Sequence, residues 1–272
     1  MNTWRLIINP PYNGAWNMAV DEAILESASV KLQLPTLRFY DWFPYTLSLG
    51  HAQPVSDVDL DALNAHQWTL VRRPTGGRAI LHADELTYSV CVPVDDSTVS
   101  GNVLDSYQKI SKALLKALKI IGIDADSKPK NPADSQLSHD PVCFQFPSDY
   151  EITFQTKKII GSAQARKKNG ILQHGAVPLF GDITRIIDVL SFSDDITKQN
   201  AKNRLIDRAT TISDSLCKDI FSWFDLAEAI RSGFKEELSI NLVGGSLSKQ
   251  EISRALQIYR EKYTNDTWTM RI

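Results

Sequence analysis

Residues 68–94 read WTLVRRPTGGRAILHADELTYSVCVPV, and this stretch decides the fold class. Thr69-Leu70-Val71, Ala79-Ile80-Leu81 and Thr87-Tyr88-Ser89-Val90-Cys91-Val92 are β-prone runs, and Gly76-Gly77 breaks the middle. Such hairpin-like strands, rather than strict strand–helix–strand alternation, predict an α+β fold with a mixed or antiparallel sheet flanked by helices.

Working outward, residues 4–8 predict a short strand and residues 17–32 a helix. Met18, Ala19, Ala23, Ile24, Leu25 and Ala28 recur there at three- and four-residue steps, so Asp21, Glu22 and Glu26 are expected to face out. Residues 36–42 and 46–49 read as strands split by Pro44, and 57–66 as a short helix. Residues 103–121 form an amphipathic helix with Ile110, Leu114 and Leu118 on its stripe, stopped by Gly122. Residues 127–141 are polar and hold three prolines, which predicts an irregular loop. Residues 150–179 predict three strands, with turns near 155–158 and 168–170. Helical patterns follow over 183–190, 223–238 and 249–263. The expected organisation is a catalytic domain over residues 1–190 and a helical C-terminal extension over 191–272, packed on the same domain.

Composition narrows the function. The chain has 272 residues, with 30 basic and 32 acidic side chains and a net charge of -2. That balance argues against a nucleic-acid binder. No run approaches the ~20 apolar residues of a membrane helix, and the N-terminus lacks a secretory pattern. A cytoplasmic protein without membrane contact is expected. Cys91, Cys143 and Cys217 are widely spaced, which predicts neither a disulfide framework nor a metal site.

Four features carry possible chemistry. Gly76-Gly77 lets backbone approach a ligand closely, and Arg72, Arg73 and Arg78 suit an anionic or carbonyl-bearing one. The same pair also makes a plain tight turn. It lacks the ending of a phosphate loop. Cys143 sits in Pro141-Val142-Cys143-Phe144, at the end of the polar loop. A thiol there reacts if a positive charge or base ionises it; otherwise it is a small apolar residue, as Cys91 and Cys217 read. In Lys157-Lys158-Ile159-Ile160-Gly161-Ser162-Ala163, one lysine alternates inward among small neighbours, unless the pair is a solvated turn. In Gln173-His174-Gly175, His174 is either a base or a satisfied strand residue, and His82 is equally ambiguous.

The order of these motifs resembles the biotin/lipoate A/B protein ligase family. The resemblance covers residues 4–179 and includes Asn17-Met18-Ala19-Val20-Asp21-Glu22-Ala23. It implies that family's catalytic-domain fold. Within the family, ATP-dependent lipoate ligases carry a third glycine where this chain has Arg78, and an Asp where it has Ala83. The Cys-Phe-x-x-Pro-Ser-x-Tyr-Glu pattern, matched by Cys143, Phe144, Pro147, Ser148, Tyr150 and Glu151, is similar to that of cysteine-dependent octanoyltransferases. An octanoyl amidotransferase acting between carrier domains places its cysteine similarly.

The resemblance implies Cys143 as nucleophile and Lys158 as its companion, with no cofactor. It implies octanoyl-acyl carrier protein as donor. The acceptor it implies is a lysine of a lipoyl-carrier domain, such as a glycine-cleavage H protein or a dehydrogenase E2 lipoyl domain. Arg72, Arg73, Gly76, Gly77, Arg78, His82, Gly161, Ser162, Ala163, His174 and Gly175 are expected to border the acyl site. A lipoate ligase using ATP, and a non-catalytic module that only holds an acyl carrier, are the rival readings.

Overall fold

The computed structural model describes residues 2–129, 150–167, 169–218 and 220–272. Its strands and helices, in chain order, are β1 (Asn2–Ile8), α1 (Gly14–Ser29), β2 (Thr36–Tyr40), β3 (Thr46–Leu49), α2 (Leu60–Ala65), β4 (Thr69–Arg72), β5 (Ile80–His82), β6 (Glu85–Pro93) and α3 (Val103–Ile120). There follow β7 (Asp126–Pro129), β8 (Tyr150–Phe154), β9 (Lys157–Lys167), β10 (Gly170–Pro178), α4 (Asp195–Arg208), α5 (Ile212–Leu216), α6 (Trp223–Glu237), β11 (Ile240–Gly244), α7 (Lys249–Ile258) and α8 (Asp266–Thr269).

Eight strands form one mixed sheet in the order β11-β1-β2-β6-β10-β9-β8-β7. β1 runs parallel to β2 and β11, whereas β2, β6, β10 and β9 pair antiparallel. A second sheet, β4-β3-β5, lies beside it. The α+β class with a mixed sheet is therefore the observed one.

The residues explain the layers. β6 and β10 are buried along their whole length, because helices cover both faces of the sheet. On one face, Phe39, Tyr88, Val90 and Ile171 pack against Leu114 of α3 and Phe234 of α6. On the other, Tyr40, Trp42 and Leu172 pack against Met18 and Ile24 of α1 and Ile258 of α7. The small sheet has its own cluster, in which Leu47, Leu49 and Ala79 meet Ile186, Leu190 and Leu205. α3 starts in a capping box, Asn102 with Asp105, and ends where Gly122 takes φ +93°.

Three expectations change. Asp21 does not face out. It is fully buried and accepts from Arg38 Nη1 at 2.7 Å. A carboxylate enters the core only with such a partner, and Arg38 lies on β2, beyond the reach of helix periodicity. The region expected as an irregular loop from residue 127 begins as strand β7, paired antiparallel with β8; the rest of that region, through residue 141, lies outside the described residues. The C-terminal helices also flank a strand, β11, which lengthens the main sheet beside β1.

The C-terminal segment is tied down by charge. Arg5 of β1 grips Glu251 of α7 through two hydrogen bonds, at 2.9 and 2.6 Å. Glu251 also completes the capping box with Ser248.

Candidate active site

β9 and β10 are antiparallel neighbours, with His174 opposite Ala163 and Gly175 opposite Ser162. This register places the small residues of one motif against the His-Gly of another. Together with Arg73, Ile80, His82 and Met18 they line a cavity of about 360 Å³, mouth included.

One wall is a chain of hydrogen bonds. Trp42 stacks on His82, with ring centroids 3.9 Å apart, and its Nε1 donates to Thr87 at 2.8 Å. Thr87 donates to Glu85 Oε1, which also lies 2.7 Å from His82 Nδ1. His82 Nε2 lies 2.8 Å from Ser48 Oγ, and Arg73 Nη1 donates to the same hydroxyl at 3.1 Å. His82 is thus fixed at both nitrogens.

Arg73 turns from Ser48 to the glycine loop, donating to the carbonyls of Gly76 at 2.8 Å and Arg78 at 2.7 Å. The loop is held from beneath as well. A Cβ on Gly50 would come within 1.8 Å of Gly77 O, so only glycine fits there. Gly76 and Gly77 are exposed and Arg78 is half-buried. Arg72 points elsewhere. Its guanidinium donates to the carbonyls of Gly50, Gln53 and Thr269, and its own carbonyl accepts from Trp268 Nε1 at 2.8 Å. Of the two adjacent arginines, one shapes the cavity and the other anchors the C-terminal helix α8.

The floor is a buried polar cluster that sequence reasoning missed. Asp21 accepts from Arg38, from Tyr40 Oη at 2.8 Å and from Ser89 Oγ at 2.8 Å. His174 Nδ1 lies 3.5 Å from Asp21 Oδ2, and its Nε2 lies 2.6 Å from Thr75 Oγ1. Burial alone would raise the Asp21 carboxyl, but Arg38 and His174 beside it hold it below the usual range. Burial lowers the His174 pKa, while Asp21 beside it works in the opposite sense. Both its nitrogens are engaged; to act as a base it would have to release one. The one signal for this cluster in the sequence was Asp21 within the Asn17–Ala23 motif.

Lys158 is 2 % exposed. Its Nζ donates to Glu151 Oε1 at 2.7 Å across the β8–β9 hairpin. A strand bulge at this point of the hairpin, where Ile152 faces Ile160 but Thr153 faces Lys158, sets the local register. Lys157 instead reaches the carbonyl of Ile206 at 2.8 Å. Cys143, with Phe144, Pro147 and Ser148, lies outside the described residues. Of the other cysteines, Cys91 is buried and its thiol is pushed far up, chiefly by burial, which suits a core residue; Cys217 is exposed.

The basic stretch over residues 166–168 is engaged within the molecule where it is described. Arg166 donates to the carbonyls of Gly101 and Asn102, and Lys167 to Glu22 at 2.9 Å. Lys168 lies outside the described residues. Among the described residues, no group of three or more His, Cys, Asp or Glu is placed to hold a metal ion, and no helix is long and apolar enough to cross a membrane.

Comparison with known proteins adds to this geometry. The model of the lipoyl protein ligase A/B catalytic domain matches residues 13–235. The octanoyltransferase LipM of Carboxydothermus hydrogenoformans is 40% identical over 272 residues, covering all of both chains. The LipM of Bacillus cereus is 37% identical over 98% of each chain. Among solved structures, a bipartite lipoate protein ligase from Thermoplasma acidophilum superposes with a TM-score of 0.83 at 26% identity, covering 99% of this chain and 97% of its own. A lipoate-protein ligase A bound with ATP gives 0.79 at 26% identity, over 99% of each chain.

Proposed function

The chain belongs to the lipoyl protein ligase A/B catalytic domain family, and from that premise we propose that it is an octanoyltransferase of protein lipoylation. It moves an octanoyl group from acyl carrier protein to a lysine of a lipoyl-carrier domain, without ATP. Full-length relatives named octanoyltransferase support the reaction class.

The observation that carries the reading is Lys158. A lysine ammonium is strongly hydrated, and burying one demands a function or a close partner. Here it lies 2 % exposed on β9, the strand that also supplies Gly161, Ser162 and Ala163 to the cavity wall. An ammonium so placed can stabilise the oxyanion of a thioester under attack and favour a thiolate nearby.

The steps are these. The Cys143 thiolate attacks the thioester carbonyl; the new C–S bond forms as the bond to the carrier's sulfur breaks, and the carrier leaves as a thiolate that takes a proton from solvent. The neutral amine of the acceptor lysine then attacks the Cys143 thioester. A C–N bond forms, the C–S bond breaks, and the amine proton passes to a base as Cys143 returns to thiolate. The cavity holds the acyl tail. Six methylenes and the terminal methyl, buried at ~0.8 kcal/mol per carbon, give about 5 kcal/mol for chain-length selection.

The test supplies octanoyl-acyl carrier protein and a lipoyl domain, without nucleotide, and reads the mass of the acceptor. Octanoylation of one acceptor lysine is expected. No transfer in that mixture, with labelling only from free lipoate, ATP and magnesium, overturns the reading in favour of a lipoate ligase.

A further inference from the structure

A second cavity adjoins the acyl cavity. It is a partly open depression of about 510 Å³, solvent at its mouth included, among β5, the 3-10 turn Ile183–Val189 and α4. Its walls are mainly apolar, with Leu81, Phe180, Ile183, Ile186 and Leu205 among them. Ile80 is the one described residue that lines both cavities, so they are neighbours at β5.

The two run along the same strands. On β6, Thr87 faces the acyl cavity and Glu85 the second; on β10, Ala176 and Pro178 divide in the same way. Lys158 ties β9 to the end of α4. Its carbonyl accepts from Thr210 N at 3.0 Å, just past α4, whose Leu205 lines the second cavity. Three residues further along β9, Gly161 lines the first.

The charges narrow the occupant. Glu85, Asp182 and Arg185 line the second cavity, and Arg185 already donates to Asp84. Two carboxylates against one paired guanidinium give no excess of positive charge for a triphosphate. The space suits a largely uncharged chain of methyl and methylene groups with a few amides. Such a chain is attached, through its sulfur, to every octanoyl group that a pantetheine thiol delivers.

We propose that the second cavity receives the pantetheine arm of the octanoyl donor. The proposal rests on the transferase reading above. The octanoyl tail occupies the first cavity, the thioester sits at the junction near Ile80, and the arm lies against Phe180, Ile183 and Ile186. Its phosphodiester end emerges at the Arg185 side of the mouth. Acyl carrier protein and coenzyme A bear the same arm, and the cavity reads the arm rather than its bearer.

Two synthetic donors test this: octanoyl-pantetheine, and octanoyl-N-acetylcysteamine, which keeps the thioester and first amide but lacks the distal half. The wild type is expected to favour the full arm by about tenfold in kcat/KM. Ala83→Trp and Ile183→Trp fill the cavity from two walls; both residues are partly exposed, so the core is not overpacked. In each variant the ratio should fall toward one, and kcat/KM should fall in parallel for octanoyl-acyl carrier protein and octanoyl-coenzyme A. The wild-type ratio of those last two shows which bearer is used. A wild-type ratio near one between the synthetic donors, or a ratio that the tryptophans leave unchanged, overturns the assignment. Failure of the wild type to use any thioester sinks the transferase reading itself, a distinct outcome.

Discussion

Lys158 and Glu151 face each other across the β8–β9 hairpin, Nζ to Oε1 at 2.7 Å, with the lysine side chain 3% and the glutamate 18% exposed. The carboxylate keeps a buried ammonium charged and aimed. Lys158→Ala should lower kcat by about 10²–10³-fold, the cost of losing a preorganised oxyanion partner. Glu151→Gln leaves the ammonium buried with a weaker partner, so it should lower both kcat and the urea midpoint, by about 2 kcal/mol in stability. An unchanged kcat in Lys158→Ala would assign the pair to the fold alone.

The Asp21–Arg38 pair, at 2.7 Å with both side chains 0% exposed, holds α1 to the sheet under the acyl cavity. Arg38→Met strands a buried carboxylate that also serves Tyr40, Ser89 and His174. A loss of about 3–5 kcal/mol is expected in urea unfolding. Adding Asp21→Leu should restore part of it, because the uncompensated charge goes too. Additive losses in the double variant would contradict this account.

This pair marks the limit of what the sequence told. The β6, β9 and β10 strands were legible as β-prone runs set off by turn residues such as Lys168-Asn169-Gly170. The cavity's small residues were legible as motifs. Asp21 was not: an acid on an amphipathic helix belongs outside unless a distant strand supplies Arg38. Arg72 and Arg73 were indistinguishable, because only three-dimensional register decides that one meets Ser48 and the other the carbonyl of Thr269. β11 escaped notice because three of its five residues are exposed at a sheet edge, between two strong helical patterns.

Glu22 gives a pH signature. Burial would raise its carboxyl, yet the ammoniums of Lys262 and Lys167 draw it down from 4.5 to about 2. Lys262, itself desolvated and close to Lys167, is pushed down to about 8 even though Glu22 faces it. A carboxyl with a depressed folded-state pKa contributes stability above its unfolded value. That contribution is complete above about pH 4.5 and is lost as pH falls toward 2. Urea midpoints should therefore drop through this window, and Glu22→Gln should flatten the drop by up to about 3 kcal/mol. Equal slopes in the two proteins would remove Glu22 from the account.

Gly50 supports the glycine loop by absence of a side chain. Gly50→Ala sets a Cβ against Gly77 O and must displace the loop. Stability should fall by about 1–3 kcal/mol, and KM for the octanoyl donor should rise. A full-affinity variant would show that the loop plays no part in binding.

The central claim is an acyl-enzyme on Cys143, and intact-protein mass spectrometry tests it most directly. The protein is mixed with octanoyl-acyl carrier protein, without ATP or acceptor. The account predicts one octanoyl adduct on the wild type, released by hydroxylamine and absent from Cys143→Ala, which should also fail to octanoylate a lipoyl domain. Transfer by Cys143→Ala at the wild-type rate would contradict it.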